Sequence, residues 1–156
     1  MLVAHLGLRP GARVADVGAG AGALEPHLLS ALGPDGRVVA TDVDPWAVAA
    51  LARLSDRSGG RLEPRWVGAN DPGLEPGAFD MVVLARVDHL LADRAAFLRR
   101  LQPTLAPRGR IAVVNRIDRE PAVRRAAAAA GLRVVASYRD LPAQFLVVLA
   151  PDGRRR

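Results

Sequence analysis

Three glycines at alternating positions, Gly18, Gly20 and Gly22, follow Asp16 in the stretch VADVGAGAGALEPHLL, residues 14–29. Glycine tolerates left-handed backbone and carries no Cβ, so Gly18 and Gly20 can let a ligand approach the main chain while Gly22 lets the next helix pack closely. Asp42 ends the apolar run RVVATD, twenty residues beyond Gly22. A carboxylate there can accept hydrogen bonds from both hydroxyls of an adenosine ribose. Glycine spacing alone would fit any tight strand-to-helix turn. Its combination with Asp42 and with the order of elements around it carries the ligand reading.

The spacing also says which adenosine ligand to expect. A dinucleotide loop reads G-x-G-x-x-G, whereas here the third glycine arrives one residue early and Ala23 stands in its place. Glu25 falls in the first turn of the following helix, where it suits the helix dipole and opposes a pyrophosphate. A ligand without phosphates fits better.

These residues need elements to position them. ARVADV (12–17) reads as a buried strand, and Gly22 to Leu32 as a helix with Leu24, Leu28, Leu29 and Leu32 on one face. Pro26 is tolerable in that helix's first turn, and Gly33-Pro34 stops it. RVVATD (37–42) is the second strand; Asp44 caps a helix with Pro45 at its first position. RLEPRWV (61–67) is a third strand, placed at a sheet edge because Pro64 cannot donate to a ladder. FDMVVLA (79–85) reads as a central strand and RIAVVN (110–115) as the fifth, with a helix from about Asp93 to Leu101 between them. The helix Pro121–Ala130 leads to LRVVASY (132–138). Only RDLPA then separates this strand from QFLVVLA (144–150), too short for a helical crossover, so the last two strands pair antiparallel. The expected architecture is an α/β, doubly wound, Rossmann-like sheet of about seven strands, parallel except for its antiparallel last strand.

The 156 residues fit a single domain, expected over 1–150, followed by a basic, flexible tail over 151–156. The absence of cysteine rules out disulfides, thiolate metal sites and a cysteine nucleophile. No run approaches a membrane span and no secretory signal is evident, so the expected address is cytoplasmic. The net charge of +6 invites a nucleic-acid reading. It is disfavoured because the cations are all scattered arginines, apart from Arg154 to Arg156, and few aromatics exist to stack on bases.

The stretches DVGAGAG and VVATD together resemble the binding signature of class I S-adenosylmethionine-dependent methyltransferases. The resemblance continues through VGANDPGLEPGAFDMVVLARVDHLL, RLQPTLAPRGRIAVVNR and the terminal hairpin AGLRVVASYRDLPAQFLVVLAP. It implies the strand order 3-2-1-4-5-7-6 and S-adenosyl-L-methionine as cofactor. Asp16 and the backbone at Gly18, Ala19 and Gly20 would hold its methionine part, with Gly22 completing the loop. Asp42 would take the ribose and Val43 would pack on the adenine. Asn70 and Asp71 fall where the family contacts the adenine amino group, although the family's acid usually follows the glycine directly, where this chain has Ala69. Arg86 would lie beside the transferable methyl. The helical cap that resembling enzymes carry ahead of strand one is expected to be largely missing, leaving an open site or one closed by a second copy or a lid-supplying partner.

A sulfonium methyl is already a good electrophile, so positioning is the main task and a base is needed only when the nucleophile must lose a proton. The weak catalytic candidates are Arg86, Asp88 and His89, with Asn115 and Arg116 after strand five. Asp88 and His89 could form a base with its orienting carboxylate, or simply begin a helix. No histidine has metal-site spacing, and Asp88 with Asp118 are too few for a metal, so none is expected. The expected activity is methyl transfer to a small-molecule acceptor. The alternatives are a non-catalytic S-adenosylmethionine-binding protein or partner subunit and, less favoured, an NAD-dependent oxidoreductase.

Overall fold

A computed structural model of the protein describes residues 2–153. Arg154, Arg155 and Arg156, half of the expected tail over 151–156, lie outside the described residues, whereas Pro151 belongs to the last strand. The strands are β1 (Arg13–Val17), β2 (Arg37–Asp42), β3 (Leu62–Trp66), β4 (Phe79–Ala85), β5 (Leu105–Arg116), β6 (Leu132–Tyr138) and β7 (Gln144–Pro151). The helices are α1 (Leu2–His5), α2 (Glu25–Leu32), α3 (Pro45–Asp56), α4 (Arg94–Leu101) and α5 (Glu120–Ala129).

All seven strands form one sheet in the order β3-β2-β1-β4-β5-β7-β6. Pairing is parallel from β3 through β5, and β7 runs antiparallel to both β5 and β6. The five-residue join before β7, 139–143, leaves no other geometry. As Pro64 required, β3 is an edge strand, hydrogen-bonded only to β2. Apolar clusters cover both faces of the sheet, one centred on Phe79, Phe97, Ile111 and Phe145, the other on Val14, Leu28, Leu51 and Leu146. That double cover explains why β4 is apolar along its length rather than alternating.

Three local differences from expectation have physical causes. Helix α2 begins at Glu25 rather than Gly22, because Gly22 sits at φ 90°, outside helical space. Strand β5 begins at Leu105, five residues early, and accommodates the excess through a register shift against Phe79 and Met81. The short helix α1 carries no periodic pattern long enough to have been read.

Capping ties the sequence to these ends. The Asp44 carboxylate accepts from the Trp46 amide at 2.9 Å, and Asp93 accepts from the Ala96 amide at 2.9 Å. Two caps thereby start the helices that flank the open end of the sheet. The winding reverses between β1 and β4, which leaves a crevice at their carboxyl ends.

Candidate functional site

A cavity of about 340 Å³ occupies that crevice, within the range of small-molecule sites. Gly18, Gly20, Asp42, Val43, Asp71 and Arg86 line it, so six of the residues singled out in the sequence meet there. Asp16, Ala19, Gly22 and Asn70 do not reach its wall. Asp16 is buried behind it, and Asn70 is exposed, its carbonyl accepting from the Arg100 guanidinium at 2.9 Å. The wall also includes Thr41, Gly68, Leu90, Leu91 and Phe97. Gly68 lies in the quoted VGANDPG segment; Phe97 comes from α4, and nothing in its local sequence distinguishes it from a core residue.

The three glycines have different duties. All take positive φ: 74° at Gly18, 59° at Gly20 and 90° at Gly22. A Cβ on Gly18 would sit 2.4 Å from a Val87 methyl, and one on Gly22 would sit 2.3 Å from a Leu54 methyl. Gly18 thus clears room for β4's following residues and Gly22 for α3. Only a Cβ on Gly20 would project into open space, so Gly20 is where the bare backbone meets the cavity.

Asp42 organises the loop. Its Oδ2 accepts from the Gly20 amide at 2.8 Å and its Oδ1 from the Asp44 amide at 2.9 Å, leaving lone pairs on both oxygens for a ligand. The amides of Gly18 and Ala19 donate to the Thr41 carbonyl at 2.8 and 3.0 Å. Beside Asp42, the exposed Trp66 indole donates to the Val43 carbonyl at 3.0 Å.

Behind the loop lies a buried pair of acids. Asp16 is 2% exposed and Glu25 fully buried. Asp16 Oδ1 and both Glu25 carboxylate oxygens have no hydrogen-bond partner, and neither does the buried Thr41 hydroxyl. Burial, then the neighbouring Glu25 and Asp42, pushes the Asp16 carboxyl well above its usual range. Burial also raises Glu25, partly offset by hydrogen bonding with Asp16 when one of the two holds a proton. The sequence placed Glu25 where it would oppose a pyrophosphate. Here it is turned inward, so its influence reaches a ligand through Asp16.

At the other end of the cavity, Arg86 follows β4 with φ 58°. A left-handed arginine costs roughly 1–2 kcal/mol. Its amide donates to the Val114 carbonyl at 2.7 Å, which holds the strained residue in place. Asp88 and His89 are not a base and its direct orienter, because Asn115 stands between them. The Asn115 amide nitrogen lies 2.6 Å from Asp88 Oδ1 and 3.0 Å from His89 Nδ1. Asp88 Oδ2 accepts from Arg94 at 2.9 Å, and the carboxylate is buried. Asn115 Oδ1 accepts from the Arg116 amide at 2.8 Å, which fixes the amide's orientation. His89 Nδ1 is therefore an acceptor, and its neutral ring carries the proton on Nε2. His5 stacks on Tyr138 with ring centroids 4.4 Å apart, and His27 is exposed; neither these two nor the candidates Asp88 and His89 line the cavity. Among the described residues no group of three metal-binding side chains occurs, and no helix is long and apolar enough to cross a membrane.

Comparison with known proteins follows the same lines. The pattern of a family described as "Methyltransferase domain" matches residues 15–111. The chain is 33% identical over 108 residues to nocamycin O-methyltransferase from Saccharothrix syringae, covering 69% of this chain and 39% of that protein. It therefore spans well under half the length of that curated relative. A solved S-adenosylmethionine-dependent methyltransferase from Aquifex aeolicus superposes with a TM-score of 0.87 at 25% identity, covering 95% of this chain and 86% of that one. A putative methyltransferase in complex with the Haloferax volcanii Trm112 methyltransferase activator shares the fold, with a TM-score of 0.84 at 18% identity and coverage of 99% and 88%.

Proposed function

The chain belongs to the methyltransferase-domain family, and from that premise we propose that it binds S-adenosylmethionine in the crevice and transfers its methyl group to a small molecule. The observation that carries this reading is the convergence, on one cavity wall, of Gly20's open backbone, Asp42's remaining lone pairs and Thr41, with the unsatisfied Asp16 carboxyl buried behind the loop. Orphaned buried acceptors are rare unless something occupies them. An uncharged adenosine joined to a sulfonium and an amino acid's ammonium suits an acid-rich cleft. The residues present fit the group.

In this reading Asp16 receives the ligand's ammonium through the loop, whose backbone at Gly18, Ala19 and Gly20 lies alongside the methionine part. Asp42 accepts from the ribose hydroxyls, and Val43 packs on the adenine with Asn70 or Asp71 near its amino group. Gly22 contributes by docking the loop on α3. Arg86 stands at the methyl end. The sulfonium supplies an electrophilic methyl when the cofactor is bound. The chain's own contribution is to orient it toward the ends of β4 and β5 and to keep water away with Leu90, Leu91 and Phe97.

Calorimetric titration with S-adenosylhomocysteine, with NAD in parallel, tests the reading. Binding of the first alone is expected, and Asp42→Ala should weaken it about 100-fold, the worth of two charge-assisted hydrogen bonds. Unchanged affinity in that variant would move the site elsewhere. Binding without turnover is the second reading, favoured by the engagement of Asp88 with Arg94 and Asn115. Closure by a second copy or a partner belongs to the proposal too; light scattering with and without S-adenosylhomocysteine distinguishes the copy.

A further inference from the structure

Beside Arg86 the cavity wall carries no free base: its neighbours there are Val87, Leu90, Leu91 and Phe97. Asp88 is spent on Arg94 and Asn115, and it is buried. His89 accepts from Asn115 through Nδ1, so it keeps no free acceptor nitrogen, and it does not line the cavity. The two carboxylates on the cavity wall, Asp42 and Asp71, belong to the opposite side, and each accepts from backbone amides there, Asp71 from Gly73 at 2.8 Å. Arg86, by contrast, is an exposed residue on the cavity wall, and its guanidinium makes no ion pair or side-chain hydrogen bond among the described residues. Its left-handed backbone is a strain that any glycine would relieve, and such strain gathers where a side chain has a task.

Resting on the cofactor reading above, we propose that the methyl acceptor is a small organic acid whose nucleophilic oxygen is already ionised, held by the Arg86 guanidinium. A carboxylate needs no base, which is what this site lacks, and it needs a planar forked donor, which arginine supplies. A lone pair of the carboxylate oxygen forms the new O–CH₃ bond as the C–S bond of the sulfonium breaks. The electron pair stays on sulfur, the charges on acid and sulfonium cancel, and no proton moves. The product is a methyl ester. Amine, alcohol and carbon nucleophiles would each have to lose a proton to a group that the geometry does not provide.

The test is calorimetric titration of the S-adenosylhomocysteine-saturated protein with a panel of aliphatic and aromatic monocarboxylates and their primary amides. At least one acid is expected to bind about tenfold or more tighter than its amide. Arg86→Gln should abolish that preference while the affinity for S-adenosylhomocysteine stays within about threefold, and Arg125→Gln, on the exposed face of α5, should change neither. Failure of every acid to outbind its amide, or a preference that survives Arg86→Gln, overturns the proposal. So does a large loss of S-adenosylhomocysteine affinity in Arg86→Gln, which would assign the guanidinium to the cofactor's own carboxylate. Failure of the parent protein to bind S-adenosylhomocysteine overturns the cofactor reading instead. For an acid that turns over with methyl-tritiated S-adenosylmethionine, mild base should release the label as methanol; a base-stable product overturns the ester assignment.

Discussion

Glu120 and Asp16 are both 2% exposed, one at the start of α5 and the other near the end of β1. Their surroundings are opposite. Glu120 Oε1 accepts from Arg124 at 2.8 Å and Oε2 from Arg139 at 2.9 Å, so both oxygens are satisfied by cations. Burial alone would raise its pKa, but the two arginines outweigh burial and hold it below its ordinary value of 4.5. Asp16 has no cation beside it. Its neighbours are two more acids, Glu25 and Asp42, and one of its oxygens has no partner. A buried acid that holds the fold is neutralised by the fold. Asp16 has only acids around it, so burial and their repulsion push its carboxyl well above the usual range instead.

Substitution at the two acids should separate these roles. Asp16→Ala is expected to lower affinity for S-adenosylhomocysteine roughly 100-fold while leaving the urea midpoint unchanged or higher, since it removes a buried acid with no cation partner. Equal loss of stability would make Asp16 a structural residue after all. Glu120→Gln should do the reverse. It should cost about 2 kcal/mol in urea unfolding, less than a fully buried pair because Arg124 and Arg139 are partly exposed. Ligand affinity should not move.

A smaller effect comes from relieving the acidic pair without emptying it. Glu25→Gln keeps the volume and removes one charge beside Asp16, so stability at pH 7 should rise by about 1 kcal/mol in urea unfolding. A loss of that size would show that Glu25 has a partner the buried pair conceals.

The smallest expected effect is the slope of stability with pH, and its sign follows from the two directions. Asp16 and Glu25 bind protons more readily folded than unfolded, so their contribution is complete below the ordinary carboxylate values and is lost as pH rises through their folded values. Glu120 acts oppositely. Its contribution is present above its ordinary 4.5 and is lost as pH falls through its lowered folded value. Urea midpoints should therefore rise as pH is lowered from 8 toward about 5 and fall below about 4. Glu25→Gln should flatten the upper branch alone.

Much of the fold was legible because it is written in local chemistry. The join RDLPA is too short to cross a sheet, Pro64 cannot serve a central strand, and Asp44-Pro45 supplies a cap and a first helical residue. The glycine loop and Asp42 were legible for the same reason, since positive φ and a carboxylate after a strand have few other uses. The helix start at Glu25 was misread because a leucine stripe gives a period and not a boundary.

The sequence by itself determined the order and direction of the strands and the acids and glycines that gather at the crevice, because turn length, periodicity and backbone freedom act over a few residues. Only the tertiary structure decided what those residues face. It turned Glu25 onto Asp16, set Val87 where Gly18 has no Cβ, and brought Asn115 from β5 between Asp88 and His89. Such contacts depend on the register of β4 against β5 and the seating of α2 and α3 on the sheet. Packing of the whole core sets these distances, and no local pattern encodes them.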